Sequence, residues 1–501
     1  MSIAPLLFLL AACVPHVEAG PSVVAKAQAP VRLVTLPDPG SPNVYLQAIA
    51  AAGSARDPVG QEGLAWLTAR SMVEAGAGTR SGQTLKEALY PTGNEIEQVI
   101  DREWVSFRLT CHRDHASLCL ELFTEVLLDP RFDDADVVRL RDEALYQVTQ
   151  GLLADEEALG GEVLDTWMFE GHPYGHPVMG RAGVLPLLDA EAARSFHARH
   201  YVREAVIGGI AGAFDPALVA AFQDRLDALP GVRAPELVLQ SPAPIEGRTL
   251  LAVDTATEVT GFHLGHPLSV DRNHPDWPAL YLGVAAFGVH RQVHGRLFRS
   301  LRGDRGLNYG TYAYMEPFVQ RGWTTLPEQG VLRRQPHFSL WIRPNSIENG
   351  PFALKLALDE LERLVTDGLE EGEYERNRSY LHGHLASEAH DPGRRLAYAL
   401  DAAATETPNL LEHVPVALES VTLEEVNAAL ARHLRPENLR IIAVTGEAAD
   451  LETRLLEGIP TPIVYNDVDP SPEQAARDEE VAARSIGLTV SSTTPAEGIF
   501  R

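Results

Sequence analysis

The sequence predicts an α+β protein built as two tandem, homologous halves of roughly 200 residues each. Three observations carry that prediction. The chain has 501 residues, too many for one hydrophobic core and enough for two domains or more. Strand-like runs and long amphipathic helices are mixed along its whole length. And it repeats itself at a nearly constant offset. The stretches "HARHYVREAVIGGIAG" and "LARHLRPENLRIIAVTG" both read as a helix end, a polar turn and a buried strand ending in glycine, and the shift from His200 to His433 is 233 residues. A second pair, "PRFDDADVVRLRDEAL" and "DGLEEGEYERNRSYL", opens a helix in each half, and the shift from Phe132 to Leu369 is 237.

Taken in order, the strand candidates are the β-branched and alternating runs at 32–36, 44–50, 104–110, 250–254, 337–343 and 440–444. The helix candidates are the 3.6-periodic runs at 61–75, 115–128, 133–152, 351–366, 371–388 and 423–433. The first half spans 30–230. A Pro-rich, polar segment, "APELVLQSPAPIEGR", marks the join, taken as 231–248, and the second half spans 249–465. The remaining 466–501 turns acidic and then Ser/Thr-rich, and is expected to be helical in part and loose at its end.

Composition narrows the partners. The chain is 45% hydrophobic and 22% charged, ordinary for a soluble globular protein. A net charge of -27 argues against nucleic acid and anionic lipid. No long apolar run follows the first 20 residues, so no membrane span is expected. Residues 1–20 end an apolar run in Leu10-Ala11-Ala12-Cys13. This resembles a bacterial lipobox, in which a signal peptide is cleaved before a cysteine that then carries lipid. It departs from the usual signal in having no Lys or Arg before the run. Val14 follows the cysteine, and the resemblance then implies a periplasmic protein of the bacterial envelope, held at the outer membrane by its N-terminal lipid alone. Cys111 and Cys119 either pair as a disulfide or remain two half-buried thiols.

One helix has the length and framing of a metal site but none of its ligands: "GLAWLTARSMVEAGAGTR", 63–80. This lead-in, inside two halves of this size, resembles the pitrilysin/insulinase family of zinc metallopeptidases over about residues 30 to 465. The resemblance implies a clamshell half made of two α/β sandwiches. Active members carry H-x-x-E-H on this helix, two histidines on one face binding zinc and a glutamate activating water, with a third ligand, a glutamate, on a later helix. After Gly63-Leu64-Ala65, the histidine positions hold Trp66 and Arg70, the catalytic glutamate position holds Ala69, and the downstream ligand position holds Gln147. An indole only donates hydrogen bonds, arginine is a fixed cation, alanine accepts no proton, and a neutral amide replaces a carboxylate poorly. No metal is expected here. The helix is expected to pack core, with Trp66 filling the vacated place.

Two other histidine pairs have metal-like spacing, His290/His294 and His172/His176. Neither has an acidic residue between its members, and Pro173 and Pro177 put the second pair in a loop, so both are read as packed or solvent-facing histidines.

The second half matches the family where the first does not. In "HGRLFRSLRGDRGLNYGTYAY" (294–314), Arg296, Arg299 and Arg302 recur every three residues as a basic stripe, Gly306 ends the helix and Tyr309 opens a strand. From the residues alone, Arg302 could pair with a nearby acid and Tyr309 could pack core. The resemblance implies instead that Arg302 and Tyr309 bind substrate across the chamber. Together these residues imply a subunit inactive by itself, belonging to a heterodimeric zinc metallopeptidase. A partner chain of the same family would hold the zinc, and this chain would close the chamber around a peptide. The rival reading is an inert binding or scaffold protein of the envelope with a peptidase-derived fold.

Overall fold

The computed structural model describes residues 29–318, 325–466 and 469–501. Cys13 and the segment 1–20 lie outside them. The first half runs β1 (Arg32–Pro37), β2 (Asn43–Ala50), α1 (Leu64–Glu74), α2 (Gly82–Leu89), β3 (Glu97–Ile100), β4 (Val105–His112), α3 (Ala116–Leu128), α4 (Asp134–Tyr146), α5 (Glu156–Met168), α6 (Ala190–His200), β5 (Val206–Gly212) and α7 (Pro216–Leu226). The predicted helix over 133–152 is α4 continued by a π-helical turn, Gln147–Gly151. After an extended join, the second half runs β6 (Arg248–Asp254), β7 (Val259–Pro267), α8 (Trp277–Gly288), β8 (Thr311–Tyr314), β9 (His337–Ser346), α9 (Gly350–Asp367), α10 (Glu371–Glu388), α11 (Pro392–Thr405), α12 (Leu410–Ser420), α13 (Leu423–His433), β10 (Leu439–Thr445) and α14 (Ala448–Leu456), then α15 (Pro472–Ala483) and β11 (Leu488–Pro495).

The duplication is visible in the sheets. The first has the order β1-β5-β2-β4-β3, and the second has β11-β6-β10-β7-β9-β8. Substituting each strand's counterpart gives the same order, with β11 added at one edge. In both, the first and last strands of the repeat pair in parallel, β1 with β5 and β6 with β10, while β5 and β10 run antiparallel to their other neighbours, β2 and β7. Alternation sets the two faces. On β4, Phe107, Leu109 and Cys111 are buried in the first core, while Ser106, Arg108 and Thr110 face the other way. Cys111 and Cys119 form a disulfide joining β4 to α3.

The halves interlock. Helix α5 of the first half lies on β7 and β10 of the second, and α11 of the second half lies on β5 and β2 of the first. Close approach requires glycine: a Cβ at Gly160 on α5 would stand 2.5 Å from the His263 ring on β7. A buried ion network adds to this junction. Arg333 meets Asp101 at 2.7 and 2.8 Å and Asp165 at 2.9 Å, and Arg334 meets Glu103 at 2.6 Å. No described helix is long and apolar enough to cross a membrane.

The tail is helical in part, in α15, but its end departs from expectation: it forms β11, which adds to β6 in parallel. Its last residues cross to the first half, where Phe500 is buried in that core and its carbonyl accepts from the Ala182 N–H at 3.0 Å. Acidic composition misleads here because α15 buries Asp478 against a guanidinium together with Val481 and Ala482.

Candidate functional site

Helix α1 begins where Asp57 reaches over its first turn. The carboxylate accepts from the N–H groups of Gly63 and Ala65, both at 2.7 Å, satisfying donors that have no partner within the helix. Burial pushes Asp57 up to about 8. Gly63 is left-handed, φ 104°, and makes the turn into the helix.

The four positions of the expected metal site hold something else. Ala69 is fully buried. Trp66 packs half-buried against the first core. The Arg70 guanidinium lies 5.7 Å from the centre of the Trp66 ring and pairs with Glu74 one turn on. Glu74 also meets Arg139 at 3.4 Å and Lys86 at 3.6 Å. Gln147 is exposed at the start of the π-helical turn, and its amide folds back over its own helix: a Cβ at Gly151 would stand 2.1 Å from its Oε1. No hydrogen bond or ring contact among the described residues joins Gln147 to Trp66 or Arg70. These residues do not fit a zinc ion. One is a donor-only indole, one a fixed cation, one a methyl group, and the last turns away.

The other histidines have protein partners. His172 Nδ1 accepts from the Tyr174 N–H at 3.1 Å, and His176 Nδ1 donates to the Pro177 carbonyl at 3.0 Å. Burial pushes His176 down to about 4. His290 bonds the Tyr314 hydroxyl at 2.7 Å, and His294 packs against the Tyr380 ring. Among the described residues, His274, Asp276 and His433 alone bring ligand-type atoms together, within 4.8 Å. Asp276 there already binds His433 Nε2 at 2.7 Å and the Arg432 guanidinium.

In the second half the basic stripe splits. Arg296 and Arg299 both turn to Glu373, each at 3.1 Å. Arg302 has no carboxylate partner among the described residues. It donates from Nη1 to the Tyr309 carbonyl at 2.8 Å and stacks 4.3 Å from the Tyr309 ring and 4.9 Å from Phe298. Tyr309 is 62% exposed, not a core residue. It precedes β8 by two residues instead of opening the strand. The segment that carries Arg302, Phe298–Gly303, is π-helical. Gly306, φ 63°, turns the chain, and Leu307 N–H bonds back to the Leu301 carbonyl at 3.1 Å.

Residues that no local pattern marked complete this site. Arg343 on β9 approaches the Tyr309 ring at 5.3 Å. It is held by Glu157 on α5 of the other half, at 2.6 and 2.8 Å. Only a charge within the otherwise apolar run of β9 could have hinted at Arg343, and nothing local marks Glu157. The arrangement offers a guanidinium with unused donors beside an exposed phenol, suited to a peptide carbonyl or carboxylate. No hydrogen bond, ion pair or ring contact among the described residues joins this pair to Trp66, Ala69, Arg70 or Gln147.

The comparisons with known proteins agree with this architecture. Residues 32–181 match the family model Insulinase (Peptidase family M16), and residues 188–381 match Peptidase M16 inactive domain. The chain belongs to the insulinase, or M16, peptidase family. It is 26% identical over 362 residues to an uncharacterized zinc protease of Mycobacterium bovis, covering 71% of this chain and 78% of that protein. An uncharacterized zinc protease of Bacillus subtilis is 18% identical, covering 74% and 85%. Among solved structures, a peptidase M16 inactive domain from Pseudomonas fluorescens superposes with TM-score 0.73 at 22% identity, over 82% of this chain and 95% of that one. A chain of Complex III2 from Candida albicans gives TM-score 0.65 at 13% identity, over 84% and 96%.

Proposed function

We propose that this chain is the non-catalytic subunit of a heterodimeric zinc metallopeptidase of the bacterial envelope. The carrying observation is the contrast between the two sites. The helix that holds the metal in active relatives here holds an arginine already paired with a glutamate. Among the described residues the Arg302–Tyr309 pair has no acidic partner, and Tyr309 is exposed. A zinc-bearing partner of the same family supplies metal-activated water. In this chain, the unused Arg302 donors hold a peptide carbonyl, and the Tyr309 hydroxyl donates to the oxyanion that develops as the carbonyl is attacked. Arg302 keeps the Tyr309 backbone in place through its bond to that carbonyl. The buried disulfide supports an oxidising compartment, in keeping with export and lipidation at Cys13.

The test is purification of the tagged full chain from its native envelope in mild detergent, with identification of co-purifying chains, followed by peptide hydrolysis by the pair. A stoichiometric partner bearing H-x-x-E-H, with turnover by the pair only, is the expected result. Recovery of this chain alone, or with unrelated envelope proteins, overturns the proposal in favour of an inert scaffold.

A further inference from the structure

We propose that the C-terminal helix α15 positions the Arg302–Tyr309 pair, acting through the buried ion pair between Arg305 and Asp478. This rests on the reading that Arg302 engages peptide. Arg305 lies between the two site residues in sequence. Its side chain is 4% exposed and that of Asp478 is 2% exposed. Arg305 Nε donates to Asp478 at 2.9 and 3.0 Å, and Nη2 donates to Oδ1 at 2.6 Å. The third arm, Nη1, donates to the Ser300 carbonyl at 2.7 Å, inside the π-helical turn that carries Arg302. One guanidinium thus ties α15 to that turn, and its planar fork fixes direction as well as distance.

Other bonds run the same way. Gln474 on α15 donates to the Asp304 carbonyl at 2.9 Å. Ser300 Oγ donates to Glu360 at 2.9 Å, and Arg477 of α15 reaches the same carboxylate at 3.0 Å. Tyr465, just before α15, donates its hydroxyl to Asp478. Residues 300, 304 and 305 are therefore all held from the tail, while the Arg302 side chain between them has, among the described residues, only Tyr309 and Phe298. A π-helical turn is an uncommon backbone state, found most often as a single turn at a functional site. Helix α15 lies beyond both ranges that match the family models. Arg305 and Asp478 are positioning residues, since neither reaches the exposed face.

The test uses the full chain and two readouts. The first is binding of fluorescein-labelled β-casein by anisotropy. The second is amide hydrogen exchange over 300–309, with β9 and β10 as internal reference. Asp478→Asn is expected to weaken binding about tenfold, as Arg302→Ala does. The double variant is expected to be no weaker than either single one, because both changes remove the same contact. Exchange over 300–309 rises while β9 and β10 stay protected. Unchanged exchange in Asp478→Asn, or independent effects that multiply in the double variant, overturn the proposal. If Arg302→Ala itself leaves casein affinity unchanged, the peptide reading fails, and the exchange result alone decides whether α15 fixes the turn. Should Asp478→Asn not fold, the apolar pair R305M/D478L keeps α15 packed without a buried charge. It is expected to show the same loss, and normal binding and exchange in it count against the proposal.

Discussion

Removing Arg333 should loosen the junction between the halves, and the size of the effect can be worked from its partners. Arg333 is 6% exposed and forks onto Asp101, which is 7% exposed, while its remaining arm reaches Asp165. In Arg333→Met, Asp165 keeps Arg102 at 3.7 Å and His337 at 3.4 Å. Asp101 keeps no ion-pair partner among the described residues. Truncating one member of a buried pair leaves an uncompensated charge and costs about 3–5 kcal/mol, and the partial cover of Asp165 puts this case near about 3 kcal/mol. Burial pushes Asp165 up, but the guanidinium of Arg333, with His337 and Arg102, outweighs it and holds the carboxyl below its usual range. A depressed folded pKa gives stability that is present above the unfolded value of about 3.9 and lost as pH falls through the folded one. The gap between wild type and Arg333→Met should therefore be widest at neutral pH and narrow below about pH 4. Urea unfolding of both proteins at several pH values measures it. Adding Asp101→Asn to the variant should recover about 1–2 kcal/mol by removing the orphaned charge. A loss under about 1 kcal/mol at pH 7, or no recovery, refutes the reasoning, since solvated charges behave that way.

Other outcomes follow from single features. In the reconstituted pair, Tyr309→Phe should lower kcat by about 100-fold or more, as expected for loss of an oxyanion donor, and unchanged turnover removes that role from the hydroxyl. Replacing both Cys111 and Cys119 by serine reopens a short loop and should lower stability by about 2.5 kcal/mol, read by thermal or urea unfolding. Phe500→Ala empties a buried place in the first core and should cost about 3 kcal/mol, and a neutral result there would mean that the last residues do not dock. Burial pushes Asp401 up to about 6, so its contribution is full below the unfolded value and is lost as pH rises through about 6. Asp401→Asn should accordingly flatten the stability profile, read by urea unfolding, by about 2–3 kcal/mol between pH 4 and 7.

Much of the fold is legible in the sequence because long periodic segments announce themselves. Helix 423–433 lies where the 3.6-residue pattern and its acidic first turn place it, and helix 371–388 begins where its acidic first turn signals it. Short or unpatterned elements are silent. β3 and β8 have four residues each, below what alternation can signal. α8 is buried on every side and therefore shows no amphipathic stripe. β11 looks like a polar tail because only a neighbouring strand makes it one.

The sequence by itself determined the duplication, the family, and the chemical unfitness of Trp66, Ala69, Arg70 and Gln147 for zinc, because these are matters of residue type and local spacing. It could not say whether Arg302 was neutralised. That depended on Glu373 taking Arg296 and Arg299 but not the third arginine of the stripe. Nor could it bring Glu157 to Arg343 or Asp478 to Arg305, which are separated by 186 and 173 residues. Such pairs follow from how two sheets trade helices and where the tail returns. Periodicity reports which face of an element is buried, and only the assembled chain decides which charge waits on the other side.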